Sequence, residues 1–230
     1  MRKLRFGSKV ITYALSFANR KTLGITVSPE MAVTVRAPYR TSSRKIRKIL
    51  RKRAAWIFKQ QEYSLAFYPK QPPKRFVNGE SHLYLGTQYR LRILRSRKES
   101  VRRDGRYIVV RSRNQSRVKR LVEDWYLEDA SRKFSAYSQK WIRRFKKYGK
   151  SPSGLVLRHM RTRWGSCTPK GKIILNPELV KAPRGCIDYV IIHELCHLIH
   201  RNHTKGFVKL QSDLMPNWER WKTHLEHLLA

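Results

Sequence analysis

Residues 193–197 read His-Glu-Leu-Cys-His, and this spacing restricts what the local backbone can be. On an α-helix, residues four apart lie on one face about one turn from each other, so His193 and His197 can point to a common position. The flanking residues are apolar, as in a buried helix: Ile187, Tyr189, Val190, Ile191, Ile192, Leu195 and Leu198. We therefore predict a buried α-helix that carries both histidines on one face.

The same pattern predicts a metal site. Two imidazoles at this spacing can bind a single Zn²⁺ at about 2.0–2.1 Å. Glu194 lies beside them, where a carboxylate can act as general base towards a water molecule on the metal. A catalytic zinc normally has three protein ligands and one position open to water. The sequence thus predicts Zn²⁺ as cofactor, His193 and His197 as metal ligands, and Glu194 as the catalytic base.

A third ligand has to come from the residues that follow. The candidates are His200, His203, Asp213 and Glu219. His200 is seven residues from His193, about 10.5 Å along a helix axis, which is too far for both to share one ion unless the helix ends. His203 becomes available if the helix breaks near Asn202, because asparagine tolerates the left-handed conformation that ends helices. We favour His203, and expect Asp213 and Glu219 to be surface or supporting groups.

Other residues near this pattern keep two interpretations. The segment Arg163–Cys167 either binds a substrate as an added strand or forms a tight turn in which Trp164 fills the core. Cys167 and Cys196 are expected to be small buried residues, not nucleophiles. Hydrolysis of a carbonyl compound also needs a hydrogen-bond donor that stabilises the negative oxygen formed in the transition state. The sequence leaves four candidates for this donor: Tyr189, His200, Arg163 and Asn176.

Positive charge is concentrated in the first two-thirds of the chain. The net charge is +37, of which residues 1–150 contribute +31 from 40 Lys/Arg and 9 Asp/Glu, and residues 151–230 contribute +6 from 12 and 6. Such an excess favours a polyanionic partner, so nucleic acid bound through the basic N-terminal part is one candidate. No apolar run approaches the ~20 residues of a membrane span. Three cysteines, an odd and sparse set, favour a reducing, cytoplasmic setting.

The order of patterns predicts an α+β protein. Strand-like alternation covers residues 9–37 and 83–111, and helical patterns cover about 43–67 and 116–148. Residues 149–154 break the second helical pattern, and strands at 155–158 and 172–175 precede the helix of the His-Glu-Leu-Cys-His segment. We expect residues 1–150 to form a basic N-terminal region that is β-rich and helical, and residues 151–230 to form the metal-binding core. We detect no internal repeat.

Several segments together resemble one known family. They are Arg163–Cys167, Gly171–Asn176, Ile187–Val190, His193–His197 and Asn202–Thr204, with Phe207 and Pro216, and in the N-terminal part Gly79–Glu80, Tyr84–Gly86 and Tyr89–Leu91. This set resembles the YgjP-like metallopeptidase family, a gluzincin-like group also related to SprT-like proteins. The resemblance implies a zinc peptidase with His193, His197 and His203 as ligands and Glu194 as base. It also implies a C-terminal minimal zincin metallopeptidase core with an active-site helix. From the strand and helix patterns we expect the N-terminal part to be mixed or antiparallel and β-rich, with helices.

Two classes of function compete. The first is a zinc metallopeptidase that hydrolyses peptide bonds of a protein or peptide substrate. The second is a basic nucleic-acid-associated protein whose zinc is structural. A structural site needs four ligands and no base, so Glu194 favours the peptidase. A third possibility combines the two classes: a peptidase that its basic N-terminal part recruits to DNA- or ribosome-bound proteins.

Overall fold

The chain divides into two compact units, Met1–Pro72 and Pro73–Ala230. The computed structural model describes residues 1–28, 31–65, 73–161 and 163–229. This division differs from the boundary expected near residue 150. The reason is that one hydrophobic core in the second unit joins residues from both sides of that point, among them Phe134 and Ile187.

The first unit is a four-stranded sheet covered by one helix. The sheet has the order β1-β2-β4-β3, in which β2 and β4 are parallel and both outer pairs are antiparallel. Alternate strand residues and one stripe of the helix form its core, as the alternation predicted. The predicted helix end near Phe67 lies outside the described residues. The elements are β1 Arg2–Phe6, β2 Lys9–Ala18, β3 Gly24–Val27, β4 Val33–Pro38 and α1 Ser43–Leu65.

The second unit begins with a sheet and helix of the same kind. The sheet has the order β5-β6-β8-β7, again with a parallel central pair and antiparallel outer pairs. The helix α2 packs on strands β7 and β8 through one face. These elements are β5 Ser81–Tyr84, β6 Thr87–Arg95, β7 Ser100–Asp104, β8 Tyr107–Ser112 and α2 Val118–Phe145.

The two sheet-and-helix segments are an internal structural repeat, which corrects the expectation from sequence. The strand order, the pairing directions and the two-residue turn of the first hairpin all agree. The helices agree as well, because the intervals between successive buried residues are the same in α1 and α2. These residues are Ile46, Leu50, Ala54 and Ile57 in α1, and Val118, Val122, Tyr126 and Asp129 in α2. The topology and the pattern of burial repeat while most residue identities differ, so the sequence alone did not reveal the repeat.

The rest of the second unit carries the predicted helix. A three-stranded sheet has the order β10-β11-β9, and three helices follow it. The whole is α+β, as predicted, with a β-rich N-terminal part. The elements are β9 Gly154–Leu157, β10 Gly165–Cys167, β11 Lys172–Leu175, a 3-10 helix Pro177–Lys181, α3 Arg184–Cys196, α4 Lys205–Leu214 and α5 Trp218–Leu229. Within the described residues, every helix is too short or too polar to cross a bilayer.

A buried carboxylate links α2 to the sheet beneath it. Asp129 is 4% exposed and accepts a hydrogen bond of 2.7 Å from the Tyr84 hydroxyl. Arg132 and Lys133, one turn further along α2, supply compensating positive charge. Burial, followed by the hydrogen bond to Asp129, raises the pKa of Tyr84, so the hydroxyl stays protonated and donates. The pair is therefore a satisfied polar contact inside an apolar core.

Replacing Asp129 by alanine should destabilise the fold. The Tyr84 hydroxyl would lose its acceptor, and a buried polar group without a partner costs about 1–3 kcal/mol. Urea unfolding followed by circular dichroism measures this loss. The matched control is Asp124→Ala on the same helix, because its ion pair with Arg120 is exposed and should contribute less than about 0.5 kcal/mol. Equal effects of the two substitutions would contradict this role of Asp129.

Candidate metal centre

Helix α3 is buried on nearly all sides, which fixes the residues at its end. Most side chains from Cys186 to Cys196 are inaccessible to solvent, in agreement with the prediction. At its start, Gly185 permits close packing of α5, because a Cβ there would lie 2.4 Å from the Trp221 ring. A helix held in this way has little freedom to move, so His193 and Glu194 have a defined place.

Three histidines converge beyond this helix end. The ring centroids of His193, His197 and His203 are 4.9–5.0 Å apart. One nitrogen from each lies within 4.8 Å of the other two, which makes this a candidate metal cluster in the described part of the chain. The Nε2 atoms of His193 and His203 are 3.0 Å apart, near the ~3.3 Å of two tetrahedral ligands at about 2.05 Å from zinc. The geometry fits a metal ion.

The backbone turns earlier than we expected from the sequence. Helix α3 ends at Cys196, and His197 caps it with helical angles. A tightened turn follows, in which the N–H groups of Leu198 and Ile199 donate to the carbonyls three residues before them, those of Leu195 and Cys196. Asn202 lies in a bend, but the described non-glycine residues with positive φ do not include it. The break is therefore real, and its cause is the tight turn and not a left-handed asparagine.

His203 is positioned by the start of the next helix. Thr204 caps α4, and its hydroxyl accepts a hydrogen bond from the Phe207 N–H at 3.4 Å. The ring of Phe207 then lies 4.7–5.0 Å from all three imidazoles and forms an apolar wall under them. The other third-ligand candidates are elsewhere: Asp213 and Glu219 are exposed, and the His200 ring packs near Gly206.

Hydrogen bonds orient two of the imidazoles. His193 Nδ1 donates to the Gln211 Oε1 at 3.0 Å, and Gln211 is 1% exposed. His197 Nδ1 donates to the His200 carbonyl at 3.0 Å. In this tautomer the Nε2 lone pair of each ring is available to a metal, which is how ligating histidines are usually supported.

The electrostatic setting favours the neutral form of His193 and of His203. Burial, together with the nearby His197 and His203, lowers the pKa of His193 to about 4. Burial also lowers the pKa of His203, and His197 acts in the same direction. Neutral imidazole is the form that binds metals, so His193 and His203 can act as ligands at neutral pH.

Glu194 lies beside this cluster in a nearly closed environment. Its side chain is 5% exposed, and its Oε2 has no hydrogen-bond partner within the described residues. Burial raises the pKa of Glu194 to about 8, while the charge of Arg163 and the backbone N–H of Cys167 act to lower it. A carboxyl group with a pKa near neutrality is suited to accept and return a proton.

A cleft of about 800 Å³ opens over the histidines and Glu194. Strand β10 forms one wall, and within the described residues it pairs with β11 on one side only. On its other side the Cys167 N–H donates to Glu194. Trp164 packs against the core, as one of the two interpretations expected, and it also lines the cleft. Cys196 is buried as expected, but Cys167 is only partly buried and lines the cleft.

The candidate oxyanion donors separate into two groups. Asn176 is occupied structurally, because its amide donates to the carbonyls of Met160 at 2.8 Å and Arg163 at 3.1 Å. It therefore holds the segment that leads into β10. Tyr189 and Arg163 line the cleft and remain candidates. The carbonyl of His200 orients His197, while its ring lies by Gly206 and outside the cleft lining.

Most of the chain matches a known protein family. Residues 21–228 match the family model described as YgjP-like, metallopeptidase domain. The chain belongs to the YgjP-like family. Membership implies a hydrolase that uses a metal ion and acts on protein substrates, and it confirms the resemblance found in the sequence. The curated proteins gave no match, and neither did the solved structures.

Two residues of the site had no role assigned from the sequence, although Phe207 is among those that carry the family resemblance. Gln211 orients His193, and Phe207 supports the three rings. A signal for Gln211 does exist, because it occupies the apolar stripe of α4 with Phe207, Leu210 and Leu214. A polar side chain at a core position usually has a specific partner, and here that partner is a histidine.

The contact between β10 and Glu194 can be tested at Gly165. A Cβ at this position would lie 2.6 Å from Glu194 Oε1 and 2.9 Å from Val190 Cγ1. Gly165→Ala should therefore displace the carboxylate and destabilise the protein by about 1–3 kcal/mol, as overpacking does. Gly154→Ala is the control, since a Cβ there meets nothing within 4 Å. Chemical denaturation of both variants measures the difference, and an unaltered Gly165→Ala protein would refute this contact.

Proposed function

We propose that this YgjP-like chain is a zinc-dependent peptidase with His193, His197 and His203 as metal ligands and Glu194 as general base. The observation that carries the proposal is the position of Glu194. Its buried carboxylate lines the same cleft as the three imidazoles and keeps one oxygen without a partner in the described chain. An unpaired carboxylate oxygen in such a place is costly for folding, which supports a role in chemistry.

The residues around the cleft would have different roles in peptide hydrolysis. A zinc ion, when bound, supplies Lewis-acid polarisation of a carbonyl and lowers the pKa of its water to about 7. Glu194 accepts a proton at its carboxylate and returns it to the leaving amine. Gln211 and the His200 carbonyl hold the Nδ1 sides of His193 and His197, which would leave the Nε2 atoms free to bind the ion. The edge of β10 is placed to align an extended peptide through backbone hydrogen bonds.

A structural zinc is the weaker interpretation. Structural sites normally have four protein ligands, whereas the cluster found among the described residues has three histidines. The nearby Cys167 and Cys196 are not members of that cluster. Three histidines beside a buried carboxylate suit a catalytic centre better than a structural one.

Glu194→Gln separates the two interpretations. The amide keeps the size of the side chain but cannot accept the proton, so zinc should stay bound while hydrolysis of casein falls by at least about 100-fold. The measurements are the zinc content of the purified protein and the rate of casein cleavage. Glu219→Gln, an exposed residue of α5, should leave both unchanged. Undiminished cleavage by Glu194→Gln would end the assignment of Glu194 as the base.

Gln211→Ala should weaken metal binding without removing a ligand. Loss of the hydrogen bond to His193 frees the imidazole ring, and such changes typically lower metal affinity by about 10–100-fold. Competition with a chromogenic zinc chelator measures the affinity directly. Gln211→Glu keeps an acceptor for Nδ1–H and should restore it, and Asp213→Ala controls for effects on α4. If Gln211→Ala bound zinc as tightly as the wild type, this role would be disproved.

A further inference from the structure

The outer face of helix α1 carries a dense set of cations. Seven of the ten residues from 44 to 53 are lysine or arginine, and all seven are exposed. None of them has an ion pair within residues 1–28, 31–65, 73–161 and 163–229; in the first unit Lys9 and Glu62 do form one. We call these seven the α1 basic face: Arg44, Lys45, Arg47, Lys48, Arg51, Lys52 and Arg53.

This face opposes the stability of its own helix. Arg47 and Arg51 are four residues apart, as are Lys48 and Lys52, and like charges at that spacing repel each other. Cations in the first turn, such as Arg44 and Lys45, also lie at the positive end of the helix dipole, and the first turn contains no acidic residue. The arrangement is therefore unfavourable for folding by itself.

The internal repeat shows that this fold does not require a positively charged helix face. The matching buried positions of the two helices align Arg47, Lys48, Arg51 and Lys52 of α1 with Lys119, Arg120, Glu123 and Asp124 of α2. In α2 these residues form two ion pairs along the helix, Lys119–Glu123 at 3.9 Å and Arg120–Asp124 at 3.6 Å. The same position in the same topology is thus neutral in one repeat and strongly positive in the other.

We propose that the α1 basic face binds the phosphate backbone of nucleic acid. Residues 44–53 extend over about 14 Å of helix at ~1.5 Å per residue. A DNA duplex carries about eight phosphate charges over that length, at one per ~1.7 Å. The charge of the first unit agrees, with 17 Lys/Arg against 2 Asp/Glu in residues 1–72. This inference is independent of the proposed peptidase activity.

Nucleic acid explains the face better than a lipid surface does. A helix that lies in a membrane interface inserts its apolar side among the lipids. In α1 that side is buried against the sheet, through Ile46, Leu50, Ala54 and Ile57. Among the described side chains of α1, Trp56 is the exposed large apolar group. The accessible surface is therefore a set of charges, which suits phosphates and not acyl chains.

The proposal can be tested by replacing two cations of α1 with the acidic residues found at the matching positions of α2. The double variant Arg51→Glu, Lys52→Asp in the full-length chain places acids four residues after Arg47 and Lys48, so the helix should be at least as stable as before. Fluorescence anisotropy measures binding to a DNA duplex, a DNA single strand and an RNA duplex over a series of KCl concentrations. The control, Lys98→Asp with Arg106→Glu, makes the same change in net charge at exposed residues of the second unit.

The expected result is a difference between the two variants. The α1 variant should bind more weakly, and its plot of log affinity against log salt should be shallower by about 1.8 for two lost phosphate contacts. The control should keep nearly the wild-type slope. Preference for DNA or RNA identifies which nucleic acid is bound. Equal weakening in both variants, no salt-dependent binding by the wild type, or tighter binding to phosphatidylserine vesicles than to any of the three probes would overturn the proposal.

Discussion

The burial of helix α3 is the constraint on which the rest of the second unit depends. A helix that is apolar on almost every side can be stable only when other elements cover all of it. Helices α2, α4 and α5 and strands β10 and β11 supply that cover. The covering elements also bring Gln211, Phe207 and Gly165 to the end of the helix. The packing that stabilises the fold is therefore the same packing that arranges the candidate site.

Much of this could be predicted because local patterns were strong. The spacing of His193 and His197 predicts both a helix and a metal, and the alternation of apolar residues predicts the strands. His203 is a nearby histidine that only a chain reversal can bring back, and the structure brings it to the other two. The features that sequence patterns do not provide are non-local. The partner of His193 comes from a different helix, and the division between units depends on which elements share a core.

The internal repeat shows how loosely topology constrains chemistry. Both copies bury the same positions and pair their strands in the same directions. Yet Ile57 of the first copy corresponds to Asp129 of the second, where a polar contact with Tyr84 replaces apolar packing. The second copy also provides α2, which packs directly on α3. Two segments with one architecture have thus acquired different surfaces and different inner contacts.

The attachment of α4 to the histidines has a thermodynamic consequence. Gln211 belongs to α4 and His203 directly precedes its cap, Thr204. With the proposed ligands, an ion would join the end of α3 to the beginning and middle of α4. Whatever binds only the docked arrangement stabilises it, and by linkage whatever loosens the docked arrangement weakens binding. Metal occupancy and the local order of residues 198–214 would then be two measures of one equilibrium, so chelation would act as a local denaturant for this part of the protein.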